Sequence, residues 1–146
     1  MTKLVIQIPC YNEEETILTT LQALPKSIKG IDEIEILVIN DGSKDKSSEI
    51  ARNFGATVVE IKQNKGLANA FRTGLTESLS RNADIIVNTD ADNQYVGEDI
   101  EKLVRPILDG ETDIVIGERQ IEKFPPIKRF LQRLGSFGVR LLSKTK

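Results

Sequence analysis

The chain has 146 residues, of which 39% are hydrophobic and 29% charged, and its formal net charge is −2. This length indicates one domain that can bury a sizeable core, and the composition is typical of a soluble globular protein. The absence of histidine excludes histidine-ligated metals and histidine-based catalytic triads, and the single cysteine excludes an internal disulfide and fits a reducing compartment. No apolar run reaches the length of a membrane span, and we expect no signal peptide because the chain enters a strand directly. Any catalysis must use carboxylates, amides, cations or a metal.

The charges are distributed unevenly along the chain. Residues 1–118 carry 12 Lys or Arg against 21 Asp or Glu, a balance of −9, whereas residues 119–146 carry eight against one, a balance of +7. A basic end on an acidic body predicts an anionic partner at that end.

Apolar segments that predict β-strands alternate with segments of helical periodicity. The predicted strands are Lys3–Ile8, Glu35–Asn40, Thr57–Ile61, Ala83–Asn88 and Asp113–Ile116. The predicted helices run from an Asn12 N-cap, with acids in the first turn, to Pro25, and then over Lys46–Phe54, Asn64–Ser80 and Gly97–Asp109. This alternation predicts an α/β fold with a mostly parallel, Rossmann-like sheet and helices on both faces.

Polar or turn-forming residues follow every predicted strand. Ligands of open α/β sheets bind beyond the carboxyl ends of the strands. The segments at those ends are Pro9–Glu13, Asn40–Ser43, Lys62–Asn64, Asp90–Asp92 and Gly117–Arg119. Several carboxylates and one arginine therefore converge on one edge of the sheet, which predicts a ligand site there.

Two carboxylates one residue apart follow the fourth predicted strand. Side chains at i and i+2 share a face, so Asp90 and Asp92 could hold one divalent cation, with Gln94 as a further oxygen ligand. So sparse a site suits a cation that takes its remaining ligands from water and substrate phosphates. The alternative is a simple turn, in which Asp and Asn are common. The sequence has neither a dinucleotide-binding fingerprint nor a P-loop, so this metal is the candidate for neutralising phosphates.

Five segments, taken in order, resemble the inverting family 2 glycosyltransferases of the GT-A fold. They are Pro9-Cys10-Tyr11-Asn12-Glu13, Asn40-Asp41-Gly42-Ser43, Asn64-x-Gly66-x-x-x-Ala70-x-x-x-Gly74, Asp90-Ala91-Asp92 and Gly117-Glu118-Arg119. The Asp-Ala-Asp-x-Gln form and the Leu131–Ser136 region are most similar to the dolichyl- or polyprenyl-phosphate sugar transferase branch. Each motif is weak alone, but their order and spacing cover essentially the whole chain.

The resemblance implies a site for a nucleoside-diphosphate sugar, either a UDP-sugar or a GDP-sugar. Tyr11 would lie beside the base, Glu13 near the ribose, and Asp41 would accept a hydrogen bond from the base. The full donor-binding set is Pro9, Tyr11, Asn12, Glu13, Asp41, Asn64, Gly66, Arg72, Asp90, Ala91 and Asp92. As alternatives, Tyr11 is an edge residue, Asp41 a turn residue, Gly66 a helix start and Gly74 a close helix–sheet contact.

The catalytic residues implied by the resemblance are Asp90, Asp92 and Arg119. Asp90, Asp92 and Gln94 would bind Mg²⁺ or Mn²⁺, which acts as a Lewis acid on the leaving diphosphate. Arg119 would contact the diphosphate or the acceptor. A phosphate-monoester acceptor, with a second pKa of about 6, is largely ionised at neutral pH and needs little help from a base.

Residues 121–146 predict a basic amphipathic helix that follows a donor-binding core of residues 1–120. Its apolar stripe is Ile127, Phe130, Leu131, Leu134, Leu141 and Leu142, and its cations are Arg129, Arg133, Arg140 and Lys144. Such a helix is typical of a membrane surface or a lipid-phosphate site, and Arg119, Arg129 and Arg133 are the predicted acceptor residues. The alternative is that the stripe packs on the core and the cations are solvated.

The implied partners are a dolichyl or undecaprenyl phosphate and the cytoplasmic face of a membrane, and no nucleic acid is expected. Two departures from the family stand out: Asn40 replaces the aspartate of many relatives, and the Ser-Gly-Phe-Arg-like stretch of the lipid-phosphate branch is missing. We therefore expect the full-length protein to continue beyond Lys146, which places turnover by this fragment in doubt. The competing hypothesis is a non-catalytic donor-binding module at the membrane surface. A nucleotidyltransferase is disfavoured because its glycine- and arginine-rich N-terminal loop is absent.

Overall fold

A computed structural model describes residues 1–92, 97 and 99–117, which form a four-stranded parallel sheet with helices on both faces. The strands are β1 (Lys3–Cys10), β2 (Glu33–Asn40), β3 (Thr57–Glu60) and β4 (Ile85–Asn88). The helices are α1 (Ile17–Ala23), α2 (Ser47–Phe54), α3 (Leu67–Ser80) and α4 (Asp99–Leu108). The strand order is β3-β2-β1-β4. The predicted α/β class, with a parallel sheet between two helical layers, is confirmed.

The register of the sheet aligns the carboxyl ends of three strands. Cys10 at the end of β1 lies opposite Asn40 at the end of β2, and Asn40 lies opposite Glu60 at the end of β3. On the other side of β1, Gln7 lies opposite Asn88, the last residue of β4. The loops that follow all four strands therefore leave from the same edge of the sheet.

Alternating side chains of the strands build a separate core on each face of the sheet. The larger core joins β1 residues such as Ile6 and Ile8 to α1, α2 and α4, and the smaller core joins Val5, Leu37 and Ile39 to Ala70 of α3. The strand residues in both cores are almost completely buried. Burying each such side chain contributes about 1.5–3 kcal/mol, so these apolar runs account for the stability of the sheet.

Helix α3 approaches the sheet closely at Gly74. A Cβ atom at this position would lie 2.0 Å from Oε1 of Gln7 and 3.1 Å from Cγ1 of Ile39. Gln7 is completely buried, and its Nε2 donates a hydrogen bond to Oδ1 of Asn88 at 3.2 Å. The expectation that Gly74 permits a close helix–sheet contact is confirmed.

Two boundaries of the first β–α unit differ from those predicted. Strand β1 continues through Pro9 to Cys10, because Pro9 lies beyond the last residue that pairs with β4 and its missing N–H is tolerated there. Helix α1 begins at Ile17, not after Asn12, and its first turn contains no acid. Residues before it form a turn in which the carbonyl of Glu13 accepts the N–H groups of Thr16 and Ile17.

The fifth predicted strand, Asp113–Ile116, is wrong for the structure as described, where this segment has no regular structure. Ile114 and Ile116 are 75% and 87% exposed. The hydroxyl of Thr112 instead hydrogen-bonds to the carbonyl of Ile114. Alternating apolar residues become a strand only when a neighbouring edge accepts them, and none of the four described strands does so here.

The described fold belongs to a compact unit of residues 1–115. None of the described helices is long and apolar enough to cross a membrane. Four predicted site residues and the predicted basic helix lie outside the described residues. The four residues are Gln94, Arg119, Arg129 and Arg133.

Candidate functional site

A cleft of about 380 Å³ opens at the carboxyl edge of the sheet. Its lining residues come from the end of β1, from the loops that follow β1, β2, β3 and β4, and from the start of α3. They are Pro9, Cys10, Tyr11, Glu13, Asp41, Asn64, Gly66, Leu67, Ala70, Asp90, Ala91 and Asp92. The structure therefore brings together the whole predicted donor-binding set except Asn12 and Arg72.

Asp41 fastens the loop before α3 to the end of β2. Its side chain is 3% exposed, and its carboxylate accepts the backbone N–H of Lys65 at 3.0 Å and that of Gly66 at 2.8 Å. Gly66 is the N-cap of α3 and has a φ of 87°. Gly66 thus stands at the start of α3 and also lines the cleft, so its place in the structure fits both the helix-start and the donor-binding predictions. Asp41 thus holds two walls of the cleft together.

Gly42 allows the turn after β2 to touch the loop after β3. Its φ is +75°, and a Cβ atom would lie 2.8 Å from the backbone nitrogen of Asn64 and 2.9 Å from the carbonyl carbon of Gln63. Both the backbone conformation and the space therefore require glycine.

Hydrogen bonds join the loop after β1 to the loop after β2, and we call this set the interloop clamp. Backbone N–H groups of the first loop donate to side chains of the second loop and of Ser47, the first residue of α2. The bonds run from Asn12 to Ser43 Oγ, from Glu13 to Ser47 Oγ and from Glu14 to Asp45 Oδ2. In return, Lys44 N donates to Asn12 Oδ1 at 2.8 Å and Lys46 N donates to Glu14 Oε2 at 3.0 Å. These reciprocal bonds fix the positions from which Tyr11 and Glu13 reach the cleft.

The clamp explains why Asn12 lies outside the cleft lining. Asn12 has a φ of +54°, a left-handed conformation that asparagine tolerates better than most residues. Its side-chain oxygen is used by Lys44. The sequence analysis named Ser43 only as part of the Asn40–Ser43 motif and did not find Asp45 or Ser47, because partners in different loops leave no local pattern.

Asp45 is held as an anion within the clamp. Burial favours its neutral form, but hydrogen bonds from the Ser47 hydroxyl and from the N–H groups of Ser47 and Glu14 outweigh burial and lower its pKa. A charged acceptor makes these bonds stronger than neutral ones.

Cys10 contributes a buried thiol to the lining. It is 3% exposed, and burial raises its pKa to about 11. The thiolate is the reactive and metal-binding form, so at neutral pH Cys10 is a neutral apolar wall and not a nucleophile.

Asp90 and Asp92 line the cleft on either side of a residue that is fixed to α1. The carbonyl of Ala91, which is 4% exposed, accepts the hydroxyl of Thr20 at 2.9 Å. Within residues 1–92, 97 and 99–117, no three or more Asp, Glu, Cys or His are arranged so that they could hold a metal ion by themselves. Two hard oxygen donors fit a divalent cation that takes its other ligands from water and a bound phosphate.

The electrostatic character of the cleft is acidic. Glu13, Asp41, Asp90 and Asp92 line it, and none of its described lining residues is Lys or Arg. Arg72 lies outside the lining, exposed on α3, where it donates to Asn69 of the same helix at 3.3 Å.

Exposed apolar surface stands at the mouth of the cleft. Tyr11 is 43% exposed and Leu67, the first residue of α3, is 67% exposed. Neither Leu67 nor Ala70 was predicted as a site residue: Ala70 was named only as part of the Asn64–Gly74 motif, and the only signal for Leu67 was its place just after Gly66. The ring of Tyr11 can contact a flat aromatic group of a ligand, and the side chain of Leu67 can contact an apolar one.

Residues 5–141 match the sequence model of glycosyl transferase family 2. An uncharacterized protein of Methanocaldococcus jannaschii is 36% identical over 97% of the chain and 57% of its own length. A UDP-N-acetylglucosamine–dolichyl-phosphate N-acetylglucosaminyltransferase of Methanococcus voltae is 33% identical over 77% of the chain and 50% of its own length. The chain therefore spans about half the length of these curated relatives.

The fold is also similar to that of solved structures with a bound nucleotide. Glucosyl-3-phosphoglycerate synthase from Mycobacterium tuberculosis, in complex with Mn²⁺, UDP and glucosyl-3-phosphoglycerate, superposes with a TM-score of 0.61 at 28% identity. The similarity covers 75% of this chain and 41% of the synthase chain.

Proposed function

Since the chain belongs to glycosyl transferase family 2, we propose that it binds a UDP- or GDP-sugar in the cleft and transfers the sugar to a polyprenyl phosphate with inversion. Dolichyl and undecaprenyl phosphate are the acceptors of this class, and the relative from Methanococcus voltae, by its name, acts on dolichyl phosphate. The proposal applies to the full-length protein, of which these residues supply the donor site.

The observation that carries the proposal is the acidic lining of the cleft. At a separation of about 4 Å, two like charges repel by about 4 kcal/mol at an effective dielectric constant of 20. This exceeds the 0.5–1.5 kcal/mol or so that one aromatic contact supplies. A diphosphate therefore enters this cleft together with a cation. Asp90 and Asp92 are the residues that would hold it, and the Mn²⁺ and UDP in the solved relative support this pairing.

The nucleoside half of the donor would use the other walls. Asp41 retains acceptor capacity for a base N–H, because a carboxylate offers about four lone-pair sites and backbone N–H groups occupy only part of them. Oε2 of Glu13 accepts the Thr16 hydroxyl at 2.7 Å, which leaves Oε1 for a ribose hydroxyl. Tyr11 offers an exposed ring to the base, and Asn64 and Gly66 approach the phosphates from the loop after β3.

In the proposed reaction an acceptor phosphate oxygen attacks the anomeric carbon, and the bond from that carbon to the nucleoside diphosphate breaks. The electron pair leaves with the diphosphate, and a bound Mg²⁺ or Mn²⁺ supplies Lewis-acid stabilisation of that charge. Asp90 and Asp92 keep their carboxylates at the cleft wall, and the fixed Ala91 carbonyl holds the backbone between them. The acceptor is already ionised at neutral pH, so no carboxylate base is required.

The acceptor side of the proposal uses the basic end of the sequence. Arg119, Arg129 and Arg133 would gather the lipid phosphate, and the amphipathic pattern of residues 121–146 would place them at the cytoplasmic face of a membrane. Arg72 would take part only if the bound donor extends past the described lining.

Calorimetric titration with UDP and GDP, each with and without Mn²⁺, tests the donor site. We expect binding that depends on the metal and that weakens at least tenfold in Asp90→Ala and Asp92→Ala. Asp109→Ala, an exposed carboxylate at the end of α4, is the matched control and should bind as the wild type does. If neither nucleotide binds with Mn²⁺, or if Asp92→Ala leaves metal-dependent binding unchanged, the proposal fails.

A second experiment separates an enzyme from a non-catalytic binding module. The full-length protein is incubated with labelled UDP- or GDP-sugars, Mn²⁺ and polyprenyl phosphate. Labelled lipid that disappears in Asp90→Ala supports transfer. Tight, metal-dependent binding of a donor without labelled lipid would support the binding module instead.

A further inference from the structure

Asn40 and Glu60 are neighbours across the sheet. The register of β2 and β3 places them opposite each other, on the face covered by α2. Nδ2 of Asn40 donates to Oε2 of Glu60 at 2.6 Å, while the Ser48 hydroxyl and Nη2 of Arg52, both on α2, donate to Oε1 of Glu60. Oε2 of Glu60 thus has one donor and Oε1 has two.

The remaining polar atom of the Asn40 side chain closes the turn after β2. Its Oδ1 accepts the backbone N–H of Ser43 at 3.1 Å, and the residue is only 3% exposed. An amide has one donor end and one acceptor end, so Glu60 and Ser43 together fix which way the Asn40 side chain is turned. A carboxylate at position 40 could serve Ser43 but would face Glu60 with a second negative charge.

Glu60 is charged at neutral pH. Burial favours its neutral form, but hydrogen bonds from Ser48, Asn40 and Arg52 outweigh burial and lower the pKa of its carboxyl. The hydrogen bond from Arg52 is at the same time an ion pair, at 2.5 Å.

The turn that Asn40 closes is attached to two walls of the cleft. Asp41 holds the N–H groups of Lys65 and Gly66, and Ser43 Oγ accepts the N–H of Asn12 in the interloop clamp. Glu60 itself lies outside the cleft lining. The hydrogen bond from Asn40 connects the Glu60 carboxylate directly to the turn that lines the cleft.

We infer that Glu60 is a positioning residue for nucleotide binding, which acts by fixing the Asn40 amide and so the turn Asp41–Ser43. The Glu60 carboxylate can only accept hydrogen bonds, and the amide of Asn40 supplies the N–H donor that faces it. This inference rests on the proposed function, because it assigns to Glu60 a part in forming the donor site.

The test exchanges donor and acceptor between the two positions. Asn40→Asp sets two carboxylates against each other, and Glu60→Gln sets two amide donors against each other. The double variant Asn40→Asp/Glu60→Gln restores a donor facing an acceptor, and its glutamine oxygen still accepts Ser48 and Arg52. We expect each single variant to weaken UDP or GDP binding, with Mn²⁺ present, by roughly fivefold, and the double variant to regain wild-type affinity within about twofold.

Glu35→Gln is the control for a purely structural effect. Glu35 lies near the amino end of β2, where Lys3, Thr57 and Arg81 contact its carboxylate. Its substitution should lower the melting temperature but leave the nucleotide dissociation constant unchanged. Single variants at 40 and 60 that lose stability without losing affinity would overturn the inference.

Amide hydrogen exchange of the protein without bound nucleotide tests whether Glu60 positions the turn. The N–H groups of Ser43 and Gly66 should exchange faster in both single variants and return to wild-type rates in the double variant. Unchanged rates in the single variants, or no recovery in the double variant, overturn the inference even if nucleotide binds. A wild type that binds neither nucleotide overturns the proposed function, and the exchange rates still show whether Glu60 positions the turn.

Discussion

The carboxylate of Asp41 accepts the backbone N–H of Gly66 at 2.8 Å, which joins the end of β2 to the start of α3. The residue proposed to recognise the base is therefore also a structural acceptor, buried to 3% exposure. Recognition and loop geometry depend on one side chain, so their contributions have to be measured separately.

We expect Asp41→Asn to lower both stability and nucleotide affinity. The amide group would turn an N–H₂ toward the donors of Lys65 and Gly66, and leaving buried N–H groups unpaired costs about 1–3 kcal/mol. Urea denaturation measures the loss in unfolding free energy, and calorimetry with UDP or GDP and Mn²⁺ measures the loss in affinity. Asp109→Asn, at an exposed site, should change neither. Wild-type stability in Asp41→Asn would show that its backbone hydrogen bonds contribute little.

The interloop clamp predicts a specific order of stability among variants of Asn12. Asn12→Ala loses the bond from Lys44 N and places a Cβ-bearing residue without polar compensation at a φ of +54°. We expect it to lose about 1–2 kcal/mol. Asn12→Gly loses the same bond but adopts this conformation freely, so it should be the more stable of the two by several tenths of a kcal/mol or more. Urea denaturation of both variants checks the order, and an alanine variant at least as stable as the glycine variant would contradict it.

Cys10 should resist alkylation in the folded protein until the solution is strongly alkaline. Burial raises its pKa from 9.0 to about 11, so at about pH 8 the thiolate fraction is far smaller than in an ordinary cysteine. We expect iodoacetamide to react at a rate that rises steeply toward pH 11, and more slowly when nucleotide and Mn²⁺ fill the cleft. Protein unfolded in urea, which has the ordinary pKa, is the control. Equal rates for folded and unfolded protein at about pH 8 would contradict the prediction.

The raised pKa of Cys10 also predicts that the protein loses stability at alkaline pH. A group that is neutral when folded and ionises more readily when unfolded contributes its full stability below the unfolded pKa of 9.0. That contribution is lost as the pH rises from 9.0 toward 11. Cys10→Ser should therefore show a weaker alkaline loss of stability than the wild type.

The lowered pKa of Glu35 predicts a loss of stability as the pH falls, whereas the raised pKa of Cys10 predicts a loss as the pH rises. Burial favours its neutral form, but hydrogen bonds from Lys3 and Thr57 and the charges of Lys3 and Arg81 outweigh burial and hold its pKa below the ordinary 4.5. Its contribution is present above pH 4.5 and is lost as the pH falls through the folded pKa. Glu35→Gln should cost about 1 kcal/mol at neutral pH, and this difference should shrink below pH 4.5 in urea denaturation. A difference that is the same at both pH values would contradict the assignment.

Local pattern was enough to predict most of this fold. The apolar runs of β1 to β4 are long enough to be recognised, and each helix between them has its own periodicity or terminal glycine. Asp113–Ile116 has the same apolar pattern but forms no strand among the described residues, since pairing depends on a neighbour that the local sequence does not specify. The start of α1 was missed for a related reason, because the side chain of Asn12 is used by Lys44 in another loop.

The candidate site was likewise predicted only in part from the sequence. Residues that follow the strands, such as Asp41, Asp90 and Asp92, were found because parallel topology places the loops after the strands together. The contacts that orient them were not found. Glu60 and Asn40 lie 20 positions apart, and the clamp joins residues about 30 positions apart. Such pairs become visible only once the register of the sheet is known.

The interloop clamp has a practical consequence for protein engineering. Three of its donors are the backbone N–H groups of Asn12, Glu13 and Glu14, which every residue except proline possesses. The side chains at positions 11 and 13 can thus be randomised while the scaffold that presents them keeps its shape. A two-position library there, selected on immobilised UDP or GDP, offers a route to altered nucleotide preference without redesign of the loops.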